Sequence, residues 1–154
     1  MATTFVDYTG DGNATKAFSF PSIQQSDIKV TVDEVLKSSG THYNITSYTT
    51  TGGGNVVFTA GNIPTSPAKI RIARDTNVDV AKATYVAGSS VKAADLNANH
   101  EQLLFAAQEE QNVVNSTTTV SGLMSAADKA KLDGIETAAT ADQTASEIRT
   151  LVES

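Results

Sequence analysis

The sequence predicts a mainly β N-terminal sandwich followed by an α-helical, trimeric coiled-coil stalk. Threonine clusters in the first half of the chain and alanine in the second, and threonine favours strands whereas alanine favours helices. Short segments that alternate apolar and polar residues recur between turn residues up to residue 74, a pattern typical of antiparallel strands. From residue 93 to about residue 115 the chain lacks glycine and proline and repeats apolar residues at three- and four-residue spacings, as a coiled-coil helix does.

The predicted strands follow one another closely along the first half. A strand within residues 3–9 is expected to turn at Asp11-Gly12, which tolerates positive φ, and to return over residues 18–20 as a hairpin. Ile28–Val32 alternates strictly and is the clearest strand. The further predicted β elements are Val35-Leu36 after a tight turn at Asp33-Glu34, a strand around Tyr43 and Ile45, a turn over residues 52–55, a strand over 56–58, and Lys69–Arg74.

The helical part follows Gly88. Ser89 or Ser90 can cap the helix, which is expected to run from Ala93 to about Asn115. One stripe of this helix repeats at alternating spacings of three and four residues and forms a heptad seam. Because two of its seven members are polar and two are alanine, the helix is marginal alone but suits a parallel trimer. The predicted trimer interface comprises Ala93, Leu96, His100, Leu103, Ala107, Glu110 and Val114.

These observations divide the chain into three parts. Residues 1–88 form the sandwich domain, residues 89–115 the trimerising helix, and residues 116–154 a polar linker followed by short helical segments. The short segments hold too few large apolar residues to fold alone. Their helix signals are a capping box over residues 125–128 with Asp in place of Glu, a stop at Gly134, and a second capping box over residues 144–147.

Composition excludes several classes of partner. The chain has 17 acidic and 11 basic residues and a formal charge of −6, whereas nucleic acids and anionic membranes require clustered Lys and Arg. No run approaches the roughly 20 apolar residues of a membrane span, and the N-terminus does not resemble a signal peptide. The absence of cysteine excludes disulfides and thiolate metal sites. We expect a protein that is made in a cytoplasm and binds neither nucleic acid nor membrane.

Few residues could carry catalysis. There are two histidines, His42 and His100, and neither has the spacing of a zinc site or suggests a catalytic triad. Asp7 and Asp11 begin with the spacing of a calcium loop, but Phe18 stands where the closing Glu is required. We therefore expect no catalytic residues, no metal and no cofactor, and we predict that the protein is not an enzyme.

The densest polar run lies where the predicted β and α parts meet. One interpretation is that Arg and Asp side chains of this run pair with each other in a loop, with the arginines only bracing the sandwich against Asp95. The other is that the run docks the sandwich onto the start of the helix or onto a partner protein. Spacing alone leaves the two interpretations equal. The residues concerned are Arg71, Arg74, Asp75, Asn77, Asp95 and Asn97.

The same run carries a resemblance to a known family. The stretches that carry it are residues 18–21, 30–33, 70–76 and 88–97, then Gln102 and residues 106–109. Over about residues 1–112 the chain resembles the N-terminal region of tail fibres from T7-type short-tailed phages (podoviruses). Residues 122–136 and 139–144 are similar to a spacer found in many phage fibre proteins, so residues 116–154 would begin the fibre shaft.

The resemblance implies a structural virion protein of the phage tail that takes part in host attachment. In such a fibre the N-terminal part forms a parallel homotrimer and attaches to the tail adaptor and nozzle (tail tubular) proteins. The host receptor would be contacted through a C-terminal region beyond this chain. The alternative is a carbohydrate-binding β-sandwich module with a trimerising tail, which exposed aromatics on one sheet face would support.

Overall fold

The computed structural model describes residues 2–113, 117, 122–139, 149, 152 and 153. The chain divides into two compact units, Met1–Asn112 and Val113–Ser154. The first unit contains seven strands and the helix α1 (Ala93–Gln111), and the second contains the helix α2 (Ala126–Ala139). The predicted β domain is therefore confirmed, whereas the coiled-coil stalk stays a prediction.

The seven strands form two antiparallel sheets. One sheet has four strands in the order β1-β7-β3-β4 and the other has three in the order β2-β6-β5. The predicted strands Ile28–Val32 and Lys69–Arg74 have the expected bounds, because their alternation is strict. The strands are β1 (Phe5–Thr9), β2 (Thr15–Phe18), β3 (Ile28–Val32), β4 (Val35–Lys37), β5 (Tyr43–Thr49), β6 (Gly53–Phe58) and β7 (Lys69–Arg74).

A single apolar core lies between the two sheets. Each strand turns alternate side chains inward, so β3 and β7 contribute neighbouring branched residues that pack against aromatic residues of the other sheet. The rings of Tyr43 and Phe58 meet edge to face with centroids 6.5 Å apart, a favourable aromatic geometry. The buried cluster consists of Phe18, Phe20, Ile28, Val30, Tyr43, Val56, Phe58, Ile70 and Ile72.

The expected hairpin between the first two strands is wrong. β1 pairs with β7, opposing Val6 to Ile72, while β2 pairs with β6 in the other sheet. The chain therefore crosses between sheets at Asp11-Gly12 instead of folding back. Turn residues specify a change of direction but not the strand that receives the pairing. The tight turn at Asp33-Glu34 is confirmed, because both residues have positive φ and join β3 to β4.

The glycine segment also differs from the predicted turn over residues 52–55. β6 already begins at Gly53, so residues 53–55 belong to a strand. Gly53 has a φ of +80°, and a Cβ placed there would lie 2.1 Å from the carbonyl oxygen of Phe18. The close approach of β2 therefore requires glycine at position 53. This explains why a glycine stands in a strand, where its sequence context predicts a turn.

The observed N-terminus of α1 and C-terminus of α2 contradict two further predictions. α1 has Lys92 at its N-cap without a side-chain bond, and Ser89 donates to the carbonyl of Val86 instead of capping the helix. Gly134 lies inside α2 and does not end it. The expected cap over residues 125–128 is present, since the Ser125 hydroxyl accepts from the Asp128 N–H at 3.1 Å. Val114 and residues 144–147 lie outside the described residues.

Candidate functional site

The centre of the α–β junction is Arg74, the last residue of β7. Its side chain is fully buried, and its guanidinium donates from Nε to the Glu109 carboxylate at 2.6 Å. It also donates to the carbonyl oxygens of Pro21 at 2.8 Å and Phe105 at 3.1 Å and to Gln108 at 3.0 Å. The guanidinium carbon lies 3.9 Å from the centroid of the Phe105 ring. Every side of the cation is therefore occupied by this chain, as a buried charge requires.

Glu109 completes the network from the helix. Its carboxylate accepts the Thr76 N–H at 3.0 Å and the Thr76 hydroxyl at 2.6 Å, in addition to the Arg74 bond. α1 is therefore fastened to the sandwich by an ion pair whose carboxylate also accepts two hydrogen bonds from Thr76. The partner that the bracing interpretation assigned to the arginines, Asp95, lies in the first turn of α1, far along the helix from Glu109.

Two amides of α1 hold the irregular connector that joins β7 to the helix. Gln102 donates to the carbonyls of Asn77 at 2.6 Å and Val80 at 2.9 Å and accepts the Lys82 N–H at 3.2 Å. Asn99 makes a two-bond contact with the main chain of Ala83, at 2.8 and 2.9 Å. These bonds replace the strand ladder that an irregular segment lacks. We call residues 75–92 the connector.

The buried stripe of α1 is thus mostly polar. Gln102 and Phe105 are its buried residues, and Asn99, Glu109 and Asn112 continue the stripe at helical spacing. Sequence reasoning did not identify this stripe, because it searched for apolar repeats. The signal that could have found it is the spacing of Asn, Gln and Glu by three and four residues on one face of the helix.

The predicted trimer seam lies on the other side of α1. Its described members are all exposed, with Leu96 at 41% and Leu103 at 64%. Leu104, beside the seam, is 55% exposed. The helix therefore buries a polar stripe against its own sandwich and presents its leucines to solvent. The exposed seam members are Ala93, Leu96, His100, Leu103, Ala107 and Glu110.

Arg71 occupies a different environment from Arg74. It lies on the outer face of the four-stranded sheet, opposite Asp7, and donates to both carboxylate oxygens at 2.7 and 2.8 Å. Its guanidinium carbon lies 4.2 Å from the centroid of the Phe5 ring. The hydrogen bonds from the guanidinium to Asp7 raise the pKa of Arg71. The pair is half exposed, so it remains accessible to a partner.

The other members of the predicted polar run serve the connector or face solvent. The Asp75 N–H donates to the carbonyl of Asp27 at 2.8 Å, and Asn77 accepts the Asp79 N–H at 2.9 Å in a local turn. Asn97 is exposed on α1. The structure thus brings Arg74, Asp75 and Asn77 to one end of the sandwich and separates them from Arg71.

The residues considered for metal binding or catalysis form an ion pair or local hydrogen bonds. Asp11 accepts the Lys16 ammonium at 2.5 Å and the Asn13 N–H at 2.8 Å, and these bonds, the Lys16 bond first, hold the pKa of Asp11 below its usual value. His42 accepts the Ser38 N–H at 3.2 Å. Within the described ranges, no group of three or more His, Cys, Asp or Glu side chains is arranged to hold a metal ion. No described helix is long and apolar enough to cross a membrane.

Comparison with known proteins gives one family. A family model described as the Phage T7 tail fibre protein, N-terminal domain, matches residues 1–126. This range covers the sandwich, the connector and α1. A search of the curated proteins found no match.

Proposed function

Because the chain belongs to the family of the phage T7 tail fibre N-terminal domain, we propose that it anchors a trimeric tail fibre to the phage tail. Membership of this family identifies a structural protein of the virion tail. The proposal adds the parallel homotrimer, with contact to the tail adaptor and nozzle proteins.

The main support for the proposal is that one side of α1 is buried against the sandwich while the other side is exposed. One side is tied to the sandwich by the Arg74–Glu109 pair, so sandwich and helix behave as one body. The other side exposes Leu96 and Leu103 in a heptad seam with no partner in the described part of the chain. A parallel trimer buries that seam without disturbing the junction, since the two stripes do not share residues.

The anchoring contact is assigned to the sandwich because it offers a sheet edge. An edge strand presents unpaired N–H and C=O groups that can accept a strand from a partner protein. The two sheets have four edges, which are β1, β4, β2 and β5. The bonds that this chain itself makes at each edge decide which edge is available.

Three of the four edges are either short or partly occupied by local hydrogen bonds. On β5, the carbonyl of Tyr43 accepts the Gly40 N–H and that of Ile45 accepts the Gln25 amide, and a bulge follows at residues 46–49. On β2, the Ala17 carbonyl accepts the Tyr8 hydroxyl. β4 has three residues, and the groups of Ser38 beyond it bond to His42.

β1 is a five-residue edge without such bonds among the residues that the structure describes. The Arg74 N–H donates to the Thr4 carbonyl and the Gly10 N–H to the Ala68 carbonyl, so in the antiparallel ladder the even-numbered residues face β7. The main-chain groups of Phe5, Asp7 and Thr9 consequently face outward, and no bond within the described residues covers them. A tail protein with an extended segment could pair along this edge, beside the accessible Asp7–Arg71 pair.

The carbohydrate-binding alternative lacks its expected aromatic platform. Tyr43 is buried in the core, Tyr48 bonds to Ser22 at 2.8 Å, and Lys16 lies over the Tyr8 ring. Tyr85, at 41% exposure, belongs to the connector and not to a sheet face. The four tyrosines therefore do not form a sugar-stacking surface.

Attachment to tails that lack fibres tests the anchoring proposal. Thr9→Pro removes an outward N–H while leaving the β1–β7 bonds intact, and Thr9→Ala removes the same side chain but keeps the N–H. We expect the unmodified chain and Thr9→Ala to bind and Thr9→Pro to bind much less. Equal binding by both variants would exclude β1 as the contact, and failure of the unmodified chain to bind would contradict the anchoring role.

A further inference from the structure

We propose that the connector forms part of the contact between copies of this chain, with Val80 and Val86 covering α1 of a neighbouring copy. This inference rests on the proposed trimer. It assigns to the connector a role in assembly and extends the predicted interface beyond the helix seam.

The connector is long but ordered by specific bonds. Residues 75–92 contain no regular secondary structure, and loops longer than about 12–15 residues without such structure are uncommon and are usually either functional or disordered linkers. The main chain is nevertheless held at Asn77, Val80, Lys82 and Ala83 by Gln102 and Asn99. A segment that is fixed in this way presents a defined surface.

That surface is unusually apolar for an exposed loop. Val80 and Val86 are 71% and 72% exposed, and Val78 is 56% exposed. Single exposed valines need no explanation, whereas a contiguous exposed apolar patch marks an interaction site, and three such valines within nine residues of an ordered segment are candidates for one. The polar bonds of this segment use its main chain, so its valine side chains are free to contact a partner.

The connector borders the predicted seam. Successive residues of an α-helix are separated by about 100° around the axis, so residues four apart differ by about 40°. Asn99, which holds Ala83, is therefore adjacent to Leu103 around α1 and lies at the edge of the buried stripe that is nearer the seam. When seams meet at a trimer axis, each connector lies at the flank of that contact.

A second copy is the proposed occupant because the seam of each copy offers few large apolar residues for a stable interface. Among its described members, Leu96 and Leu103 are the large apolar residues, whereas His100 and Glu110 are polar. Stable interfaces bury about 800 Å² per partner. Each chain also carries a net charge of −6, which opposes association of identical copies. The connector valines supply apolar area where the seam lacks it.

The double variant Val80→Asp/Val86→Asp tests the inference by sedimentation over a range of protein concentrations. The control is Val35→Asp, because Val35 is 58% exposed on β4 of the sandwich. We expect the double variant to raise the concentration at the midpoint of trimer formation by roughly tenfold or more, and the control to leave it unchanged. Far-ultraviolet circular dichroism confirms that each variant is folded.

Val80→Thr/Val86→Thr separates lost apolar contact from introduced charge. It should raise the midpoint in the same direction but by less, since threonine keeps the shape of valine. An unchanged midpoint in both double variants would overturn the inference while leaving the helix trimer intact. If the unmodified chain remains monomeric at every concentration, the proposed trimer itself fails, and this inference fails with it.

Discussion

Replacing Arg74 by methionine should destabilise the protein far more than the same change at Arg71. Both arginines lie on β7, pair with a carboxylate and stack on a phenylalanine ring. They differ in burial, because the Arg74 side chain is fully buried whereas that of Arg71 is 35% exposed. The comparison therefore isolates burial from chemistry.

The expected magnitudes follow from this difference. Arg74→Met leaves Glu109, whose side chain is 20% exposed, without its cation and removes bonds to Pro21 and Gln108. Breaking a buried pair on one side costs about 3–5 kcal/mol. Arg71→Met removes a solvent-screened pair, for which the cost is about 0–1 kcal/mol.

Urea unfolding at one fixed protein concentration measures both values. The fixed concentration matters because association of copies adds to apparent stability. We expect the free energy of unfolding to fall by about 3–5 kcal/mol for Arg74→Met and by less than about 1 kcal/mol for Arg71→Met. Losses that agree within about 0.5 kcal/mol would refute the assignment of Arg74 to the junction, since additivity errors are of this size.

Three further predictions concern close approach, the connector and pH. Gly53→Ala should destabilise the fold by more than about 2 kcal/mol, because the added Cβ would lie 2.1 Å from the carbonyl oxygen of Phe18. Gly61→Ala is the control and should cost no more than about 1–2 kcal/mol, because Gly61 also has a positive φ but faces open space. Equal shifts of the melting temperature in the two variants would contradict this. Gln102→Leu removes the side-chain oxygen that accepts the Lys82 N–H, so hydrogen exchange at the Lys82 amide should become faster. The Ile72 amide in the sheet should stay protected. Unchanged exchange at Lys82 would show that the Gln102–Lys82 hydrogen bond does not hold the connector. The hydrogen bond from Lys16 lowers the pKa of Asp11. Its stabilising effect should therefore be complete above about pH 3.9, the ordinary pKa of Asp, and should be lost as pH falls through the folded-state pKa. A destabilisation by Asp11→Asn that is equal at pH 7 and in strong acid would contradict this.

Local periodicity predicted the strands better than their partners. Ile28–Val32 and Lys69–Arg74 were identified because alternation within five or six residues reports which face is buried. The pairing of β1 with β7 joins residues far apart along the chain, and no local signal near Asp11 specifies it. The predicted hairpin failed for this reason.

The helix shows why the candidate site was only partly predictable. Its apolar seam followed from the spacing of Leu96 and Leu103, but its body-facing stripe uses Gln102 and Glu109, which an apolar repeat does not detect. Sequence spacing left two equal interpretations for Arg74, which were local pairing within a loop and docking onto the helix start or a partner. Its place in the junction depends on the burial that α1 creates above it, a tertiary effect.

The molecular mass in solution tests the central proposal most directly. Sedimentation equilibrium on the unmodified chain should give three times the chain mass of 16.1 kDa. Leu103→Asp would place three like charges at one level of the axis without partners, which is strongly unfavourable, so this variant should give the monomer mass. Leu36→Asp, at a leucine with nearly the same exposure of 62%, should remain a trimer. A monomer mass for the unmodified chain, or an unchanged trimer for Leu103→Asp, would contradict a trimeric anchor built on this seam.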